Sequence, residues 1–355
     1  MVFWALGTHG DPIGTLRDLV KQIWRDVDLD GMVVTTSGGG NERMFSRYIT
    51  EVDLIAEINP FKPIMEINAA KLIPGFLSQN PGAKIGALLR PCEMRALIEI
   101  SKHSSLKLDN LLTISVDCLG TLPADEYQWR LERLEKSHLS YEDNRSTSND
   151  DLAKEALAFA RQGGIIQYRY RSACQVCNSP AAEHAKIIIH ILGLPARQQM
   201  LLSINDPGLA DMLSLENLSI GLADERLISQ HERIVAKMSE RHTRTMERVN
   251  QGLGSLLPSD VDAVIRQLES CGECQACLDV CPICSVDRPY RDTAGHYDRA
   301  GVMRWLVSCA GCGMCEQSCP SNLPTSAIFA HIRQQLAQEW EYVPGRSINE
   351  PLPLR

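Results

Sequence analysis

Two domains are predicted, an α/β domain followed by a smaller cysteine-rich domain built by duplication, and three observations predict them. The chain has 355 residues, more than twice the roughly 150 of a typical domain. Its first half alternates strand-like and helix-like segments, the order expected of an α/β sheet. In its last quarter residues 271–282 recur as residues 309–320, an offset of 38.

The elements follow in order. Leu16, Leu19, Val20, Ile23, Trp24 and Val27 share one helical face, with Thr15 and Asp18 at capping-box spacing. Residues 32–36 form a β-prone run ended by Gly38, Gly39 and Gly40. Residues 84–89 and 111–116 read as buried strands, and a helix starts between them with Pro91 in its first turn. The chain turns polar over 122–151, with an exposed loop expected at 141–151. Residues 151–161 read as a helix closed by Gly163, and 165–171 as a further strand. Residues 222–253 predict a long helix whose stripe of Leu227, Ile228, His231, Ile234, Val235, Met238, His242, Met246 and Val249 faces a core rather than a metal. The expected division is a first domain over 1–221, a helical connector over 222–258, the duplicated domain over 259–340 and an extended tail over 341–355. On this division the first domain should fold without residues 259–355.

Composition narrows the function. Hydrophobic residues are 44% and charged residues 23%, as in globular proteins. A net charge of -8 and a pI near 5.6 argue against a nucleic-acid partner. The longest apolar run, 187–194, includes His190 and falls short of the roughly 20 residues that span a bilayer. Residues 1–14 lack a basic start and a long apolar stretch, so no secretory signal is expected and the cytoplasm is the expected location. In a reducing compartment the 13 cysteines are expected to bind metal rather than form disulfides.

Their spacing names the metal. Each repeat reads C-x2-C-x2-C-x3-C-P: Cys271, Cys274, Cys277, Cys281, Pro282, then Cys309, Cys312, Cys315, Cys319, Pro320. This is the bacterial ferredoxin run, in which the fourth cysteine serves the other cluster. Hence one 4Fe-4S cluster is assigned to Cys271, Cys274, Cys277 and Cys319, and a second to Cys309, Cys312, Cys315 and Cys281. Zinc sites use separated C-x2-C pairs instead. Cys284 exceeds the eight ligands and reads as a buried thiol beside a cluster. Four cysteines remain, Cys92 in the first turn of a helix, Cys118 after a strand, and the C-x2-C pair Cys174 and Cys177. Each lies where a loop leaves regular structure, so a third 4Fe-4S cluster is open to them, as is the plain role of small buried residues.

With these motifs in view, the chain resembles the family of β subunits of deazaflavin (coenzyme F420)-linked formate dehydrogenases and hydrogenases of methanogenic archaea, with the formate dehydrogenase branch nearest. The resemblance rests on residues 308–320, Ile328 and Phe329, and 342–345 in the second half, and on 90–93, 115–121 and 174–177 in the first. It departs at residues 9–15 and 181–191. It implies that Cys92, Cys118, Cys174 and Cys177 hold a third 4Fe-4S cluster beside an FAD. The fold class becomes an α/β flavin/iron-sulfur domain plus a C-terminal two-cluster, or dicluster, ferredoxin-like domain. The flavin is expected within residues 1–200, with Gly10, Gly14, Gly38, Gly39 and Gly40 as candidate contacts through helix N-termini and turns. The implied function is an electron-transfer β subunit working with a catalytic subunit and a possible further electron-transfer subunit. A flavin-free iron-sulfur adaptor, for example to a heterodisulfide-reductase-type partner, is the alternative, and clusters that only staple the fold are a third. No motif for a molybdenum or nickel site is present, so formate or hydrogen chemistry is expected on another chain.

Overall fold

The structure, a computed structural model, describes residues 2–38, 41–139, 150–164, 169–215, 219–271 and 274–353. At its centre is a mixed sheet of β1 (Val2–Gly7), β2 (Gly31–Gly38), β3 (Asn41–Ile49), β4 (Ile85–Leu89), β5 (Leu111–Val116), β6 (Ile187–His190), β7 (Gln199–Ile204) and β8 (Ser219–Leu222). The strand order is β3-β2-β4-β5-β6-β7-β1-β8. Strands β2, β4, β5 and β6 are mutually parallel, while β3, β7, β1 and β8 add on by antiparallel pairing. Every residue of β4 and β5 is buried, which matches their largely apolar sequences, broken only by Thr113 and Ser115 in β5, because a central parallel strand is covered on both faces.

The longer helices are α1 (Pro12–Val27), α2 (Ile73–Gln79), α3 (Pro91–Ser104), α4 (Ala124–Leu139) and α5 (Asp151–Ala158). Two short ones follow, α6 (Ser172–Gln175) and α7 (Pro207–Met212), and then the 29-residue α8 (Glu225–Leu253). The duplicated region contributes α9 (Val261–Ser270), α10 (Ala276–Asp279), α11 (Arg299–Val307), α12 (Met314–Gln317) and α13 (Thr325–Trp340). Side chains of α1, α5, α7 and α8 share one hydrophobic cluster with one face of the sheet. The cluster on the other face joins β4, β5 and α3 to Trp305, Phe329, Ile332 and Tyr342.

Three sequence expectations change. Helix α1 starts at Pro12 and is capped by Asp11, whose Oδ1 accepts the Gly14 N–H at 2.9 Å. The capping box expected at Thr15 and Asp18 therefore lies inside the helix. A Cβ on Gly14 would stand 2.2 Å from an Asp11 carboxylate oxygen, so this glycine is there to admit the cap. Residues 169–171 carry no strand, and the rest of the strand expected at 165–171 lies outside the described residues. The loop expected at 141–151 likewise lies outside them except for its last two residues, Asp150 at the N-cap of α5 and Asp151, which opens that helix.

Helix α3 is what joins the two halves. Met94, Ala96, Leu97, Ile98 and Ile100 are all buried, more than one stripe of a surface helix would bury. Its polar residues Arg95, Glu99, Lys102 and His103 recur at i, i+4, i+7 and i+8 and all reach the C-terminal region. Arg95 donates to the Ala310 carbonyl, and Glu99 accepts the Tyr342 hydroxyl at 2.5 Å and the Gly345 N–H at 2.7 Å. The Lys102 ammonium lies 2.9 Å from Glu99, and His103 bonds Ser308 Oγ at 2.8 Å and Asp287 at 2.9 Å. Among the described residues no helix is long and apolar enough to cross a membrane.

Candidate metal centres

The third set of cysteines gathers at the carboxyl ends of the two central parallel strands, where open α/β sheets present their ligands. Strand β4 leads through Arg90 and Pro91 to Cys92 in the first turn of α3, where a helix N-terminus favours a thiolate. Strand β5 leads through Asp117 to Cys118. Cys174 lies in α6 and Cys177 just beyond it, and this segment is tied across by the Cys118 N–H to the Pro180 carbonyl at 2.9 Å. One cavity is lined by Cys92, Cys118, Cys174 and Cys177 together with Cys312 and His242. The Nδ1 of His242 bonds the Cys177 carbonyl.

Asp117 fixes this edge. Its carboxylate accepts the N–H groups of Ala182 at 3.0 Å, Ile191 at 2.9 Å and Leu192 at 3.1 Å, with His190 and His231 alongside. Burial works to raise its pKa, but contact with His190, the charges of His190 and His231 and the Ala182 N–H outweigh it and bring the group down from 3.8 to about 2. A carboxyl lowered in the folded state stabilises above its unfolded pKa and loses that contribution as pH falls through the folded one. Acid titration between pH 4 and 2 is therefore expected to remove roughly 2 kcal/mol at this site. Asp117→Asn should cost about 3 kcal/mol, because one backbone N–H then faces an amide NH2. Thermal unfolding of the variant, with a flattened acid limb, checks both.

The duplicated region brings two further groups together. Cys271, Cys274, Cys277 and Cys319 line a second cavity with Ile328 and Phe329. Cys309, Cys312 and Cys315 lie within electrostatic reach of Cys281. Cys319 therefore stands with the first run and Cys281 near the second. Burial raises most of them: Cys118 and Cys277 to about 11 and Cys312 to about 12, with Cys92, Cys309 and Cys315 also above the ordinary thiol. Such thiols stay protonated at neutral pH unless a cation enters among them. Cys281 departs from this pattern, brought down to about 7 by the Cys284 thiol, which donates to it, and by the Trp305 indole N–H at 3.2 Å. Cys284 itself is buried, and burial with the Cys281 contact pushes its pKa up.

Three guanidinium groups surround the first cavity, and sequence reasoning did not single them out. Arg90 donates to the carbonyls of Ile64 and Lys62, both at 2.7 Å. Arg95 donates to the Ser179 carbonyl at 3.1 Å and the Cys177 sulfur at 3.8 Å. Arg171 is only 7% exposed. It donates to Thr121 Oγ1 at 2.7 Å, Gln317 Oε1 at 2.9 Å, the sulfurs of Met314 and Met65, and Cys174 Sγ at 3.9 Å, and none of these partners is a carboxylate. Burial alone would lift Cys174, yet the Arg171 charge and the Thr121 hydroxyl bring it below the ordinary thiol. A buried cation with no directly paired carboxylate is costly, and an anionic thiolate-ligated cluster among Cys92, Cys118, Cys174 and Cys177 supplies a close negative partner. These residues fit a 4Fe-4S group.

A solvent-open cleft lies beside this cavity, between α8 and α13, with Arg95, Cys177, Asn178, Arg333 and Cys309 on its walls. Of the glycines expected to contact flavin, Gly10 and Gly14 line neither. Gly10 donates its N–H to the Arg197 carbonyl at 2.8 Å. Asp11 fills the N-terminus of α1 with negative charge, which repels the pyrophosphate expected near Gly10 and Gly14. Gly38 pairs with Asn41 in the hairpin of β2 and β3, and Gly39 and Gly40 lie outside the described residues.

Residues 267–323 match the family model of the 4Fe-4S dicluster domain. Over 296 residues the chain is 24% identical to the F420-dependent formate dehydrogenase 1 subunit beta of Methanococcus maripaludis, covering 74% of this chain and 73% of the relative. It is 21% identical over 367 residues to the F420-dependent formate dehydrogenase subunit beta of Methanocaldococcus jannaschii, covering 96% and 93%. A solved chain of the F420-reducing [NiFe] hydrogenase complex from Methanosarcina barkeri aligns over 70% of this chain and 91% of its own, at 12% identity and a TM-score of 0.48. The resemblance read from the cysteine motifs therefore extends along most of the chain.

Proposed function

We propose that this chain, similar along most of its length to the β subunits of F420-dependent formate dehydrogenases, is an electron-transfer subunit of a multisubunit oxidoreductase. The observation that carries the reading is the sequence of three four-cysteine groups, with Cys312 of the middle group lining the cavity of the first. Clusters held there would pass single electrons, and a flavin beside them would link such steps to hydride transfer. The chain's own residues hold the thiolates in place: Asp117 anchors Cys118, Thr121 and Arg171 hold Cys174, and Trp305 with Cys284 hold Cys281. The group at Cys271 and Cys274 is the exposed end, and we assign it the contact with a partner.

FAD is assigned to the cleft walled by Arg95, Asn178 and Arg333, whose two guanidinium groups suit a pyrophosphate. One observation favours the flavin-free adaptor instead, namely the carboxylate that occupies the N-terminus of α1. Acid extraction of fully iron-loaded protein decides between the two: released flavin near one equivalent per chain supports the first, and none supports the adaptor. For the function itself, the chain alone should show no formate- or hydrogen-dependent dye reduction. A complex isolated anaerobically through a tag on this chain should show one or the other. Activity of the isolated chain would overturn the reading.

A further inference from the structure

The cavity of Cys92, Cys118, Cys174 and Cys177 and the group of Cys309, Cys312, Cys315 and Cys281 meet at one side chain. Segments from the two halves approach so closely that a Cβ on Gly313, at φ +69°, would stand 2.3 Å from the Cβ of Ala173. Arg171 occupies the seam. One edge of its guanidinium points at Cys174 Sγ, 3.9 Å away, and the other at Gln317 and Met314 of α12. Its charge acts in both directions, favouring the thiolates of Cys174 and Cys312 alike. No carboxylate is among its hydrogen-bond partners, and the buried Glu93, an acid within reach of its charge, is not paired with it directly.

Resting on the three-cluster reading above, we infer that Arg171 is a positioning residue that sets the reduction potentials of the two adjacent clusters together through its fixed positive charge. A fixed cation in a low-dielectric seam, 3.9 Å from a cysteine sulfur, stabilises the more negative, reduced form of whatever lies within a few ångströms. Reduction potentials of iron-sulfur clusters respond to net charge and to hydrogen bonds at the sulfurs. The charge therefore draws both neighbours toward easier reduction, so that an electron arriving on one meets little change of potential on moving to the next. No atom is transferred. The group at Cys271, Cys274, Cys277 and Cys319 has no contact with Arg171 and serves as an internal reference.

The test uses the full chain reconstituted with iron and sulfide, in wild type, Arg171→Gln and Arg171→Lys, with iron counted and each cluster followed by EPR during potentiometric titration. In Arg171→Gln two of the three midpoints are expected to move to more negative values while the third stays. In Arg171→Lys, which keeps the charge but not the planar fork, those two should remain close to wild type. If the Gln variant loses one cluster, the Lys variant is expected to retain all three. Identical behaviour of the Gln and Lys variants, whether as unchanged midpoints, equal shifts or equal iron loss, overturns the inference and leaves Arg171 a packing role. A wild-type count near eight irons is a different failure, because it removes the third cluster before any midpoint is compared.

Discussion

Anaerobically purified full-length protein is expected to carry about 12 iron atoms per chain, from three four-iron clusters. Cys174→Ser should lower this to about 8 and remove one EPR signal while leaving two, since a hydroxyl is a poor substitute for a thiolate in such a cluster. Cys284→Ser should leave the iron content unchanged. Its thiol only donates to Cys281, a bond that a serine hydroxyl can still make. A wild-type value near 8 would return Cys92, Cys118, Cys174 and Cys177 to the role of buried small residues. In that case Arg171 would be left buried with no carboxylate among its hydrogen-bond partners, an arrangement that costs stability.

Sequence spacing made the two ferredoxin groups legible because three thiolates in one tight loop are a local constraint, written in consecutive residues. The first-half group was legible only in part. Cys92 and Cys118 follow apolar runs that read correctly as β4 and β5, but nothing local brings residues 174–177 to the same edge. What does so is long-range, the Cys118 bond to Pro180 and the Arg171 bond to Thr121. The start of α1 was misread because Thr15 and Asp18 satisfy a spacing rule that Asp11, with proline following it, satisfies better by geometry. The role of α3 had a visible signal in its apolar residues, Met94, Ala96, Leu97, Ile98 and Ile100, which leave little of its circumference for solvent. That signal speaks of cover on more than one side without saying which segment supplies it.

That cover bears directly on whether the halves are separable. A chain ending at residue 258 is expected not to fold into a stable α/β domain, contrary to the expectation drawn from the boundary of the cysteine repeat. Residues 259–355 contribute Trp305, Leu306, Phe329, Ile332 and Tyr342 to the same hydrophobic cluster that holds Leu89, Met94, Leu97, Ile98 and Ile100. Exposing even part of those side chains on α3 and the sheet forfeits about 1.5–3 kcal/mol each. The sum, of the order of 10 kcal/mol, matches the whole net stability of a typical domain. The truncation also leaves Glu99, with no exposed side-chain surface, without its Tyr342 and Gly345 partners, and His103 without Ser308 and Asp287. Circular dichroism and limited proteolysis of the 1–258 fragment should therefore report a loose, protease-sensitive chain that does not retain iron at Cys92, Cys118, Cys174 and Cys177. A cooperative unfolding transition with about four bound irons would instead show that the first domain stands alone and that the C-terminal half only docks on it. Because the clamp residues Arg95, Glu99, Lys102 and His103 lie on the helix that carries Cys92 in its first turn, loosening it also disturbs the first cluster. Glu99→Ala in the full chain is accordingly expected to lower thermal stability and weaken iron retention at Cys92 without touching any ligand.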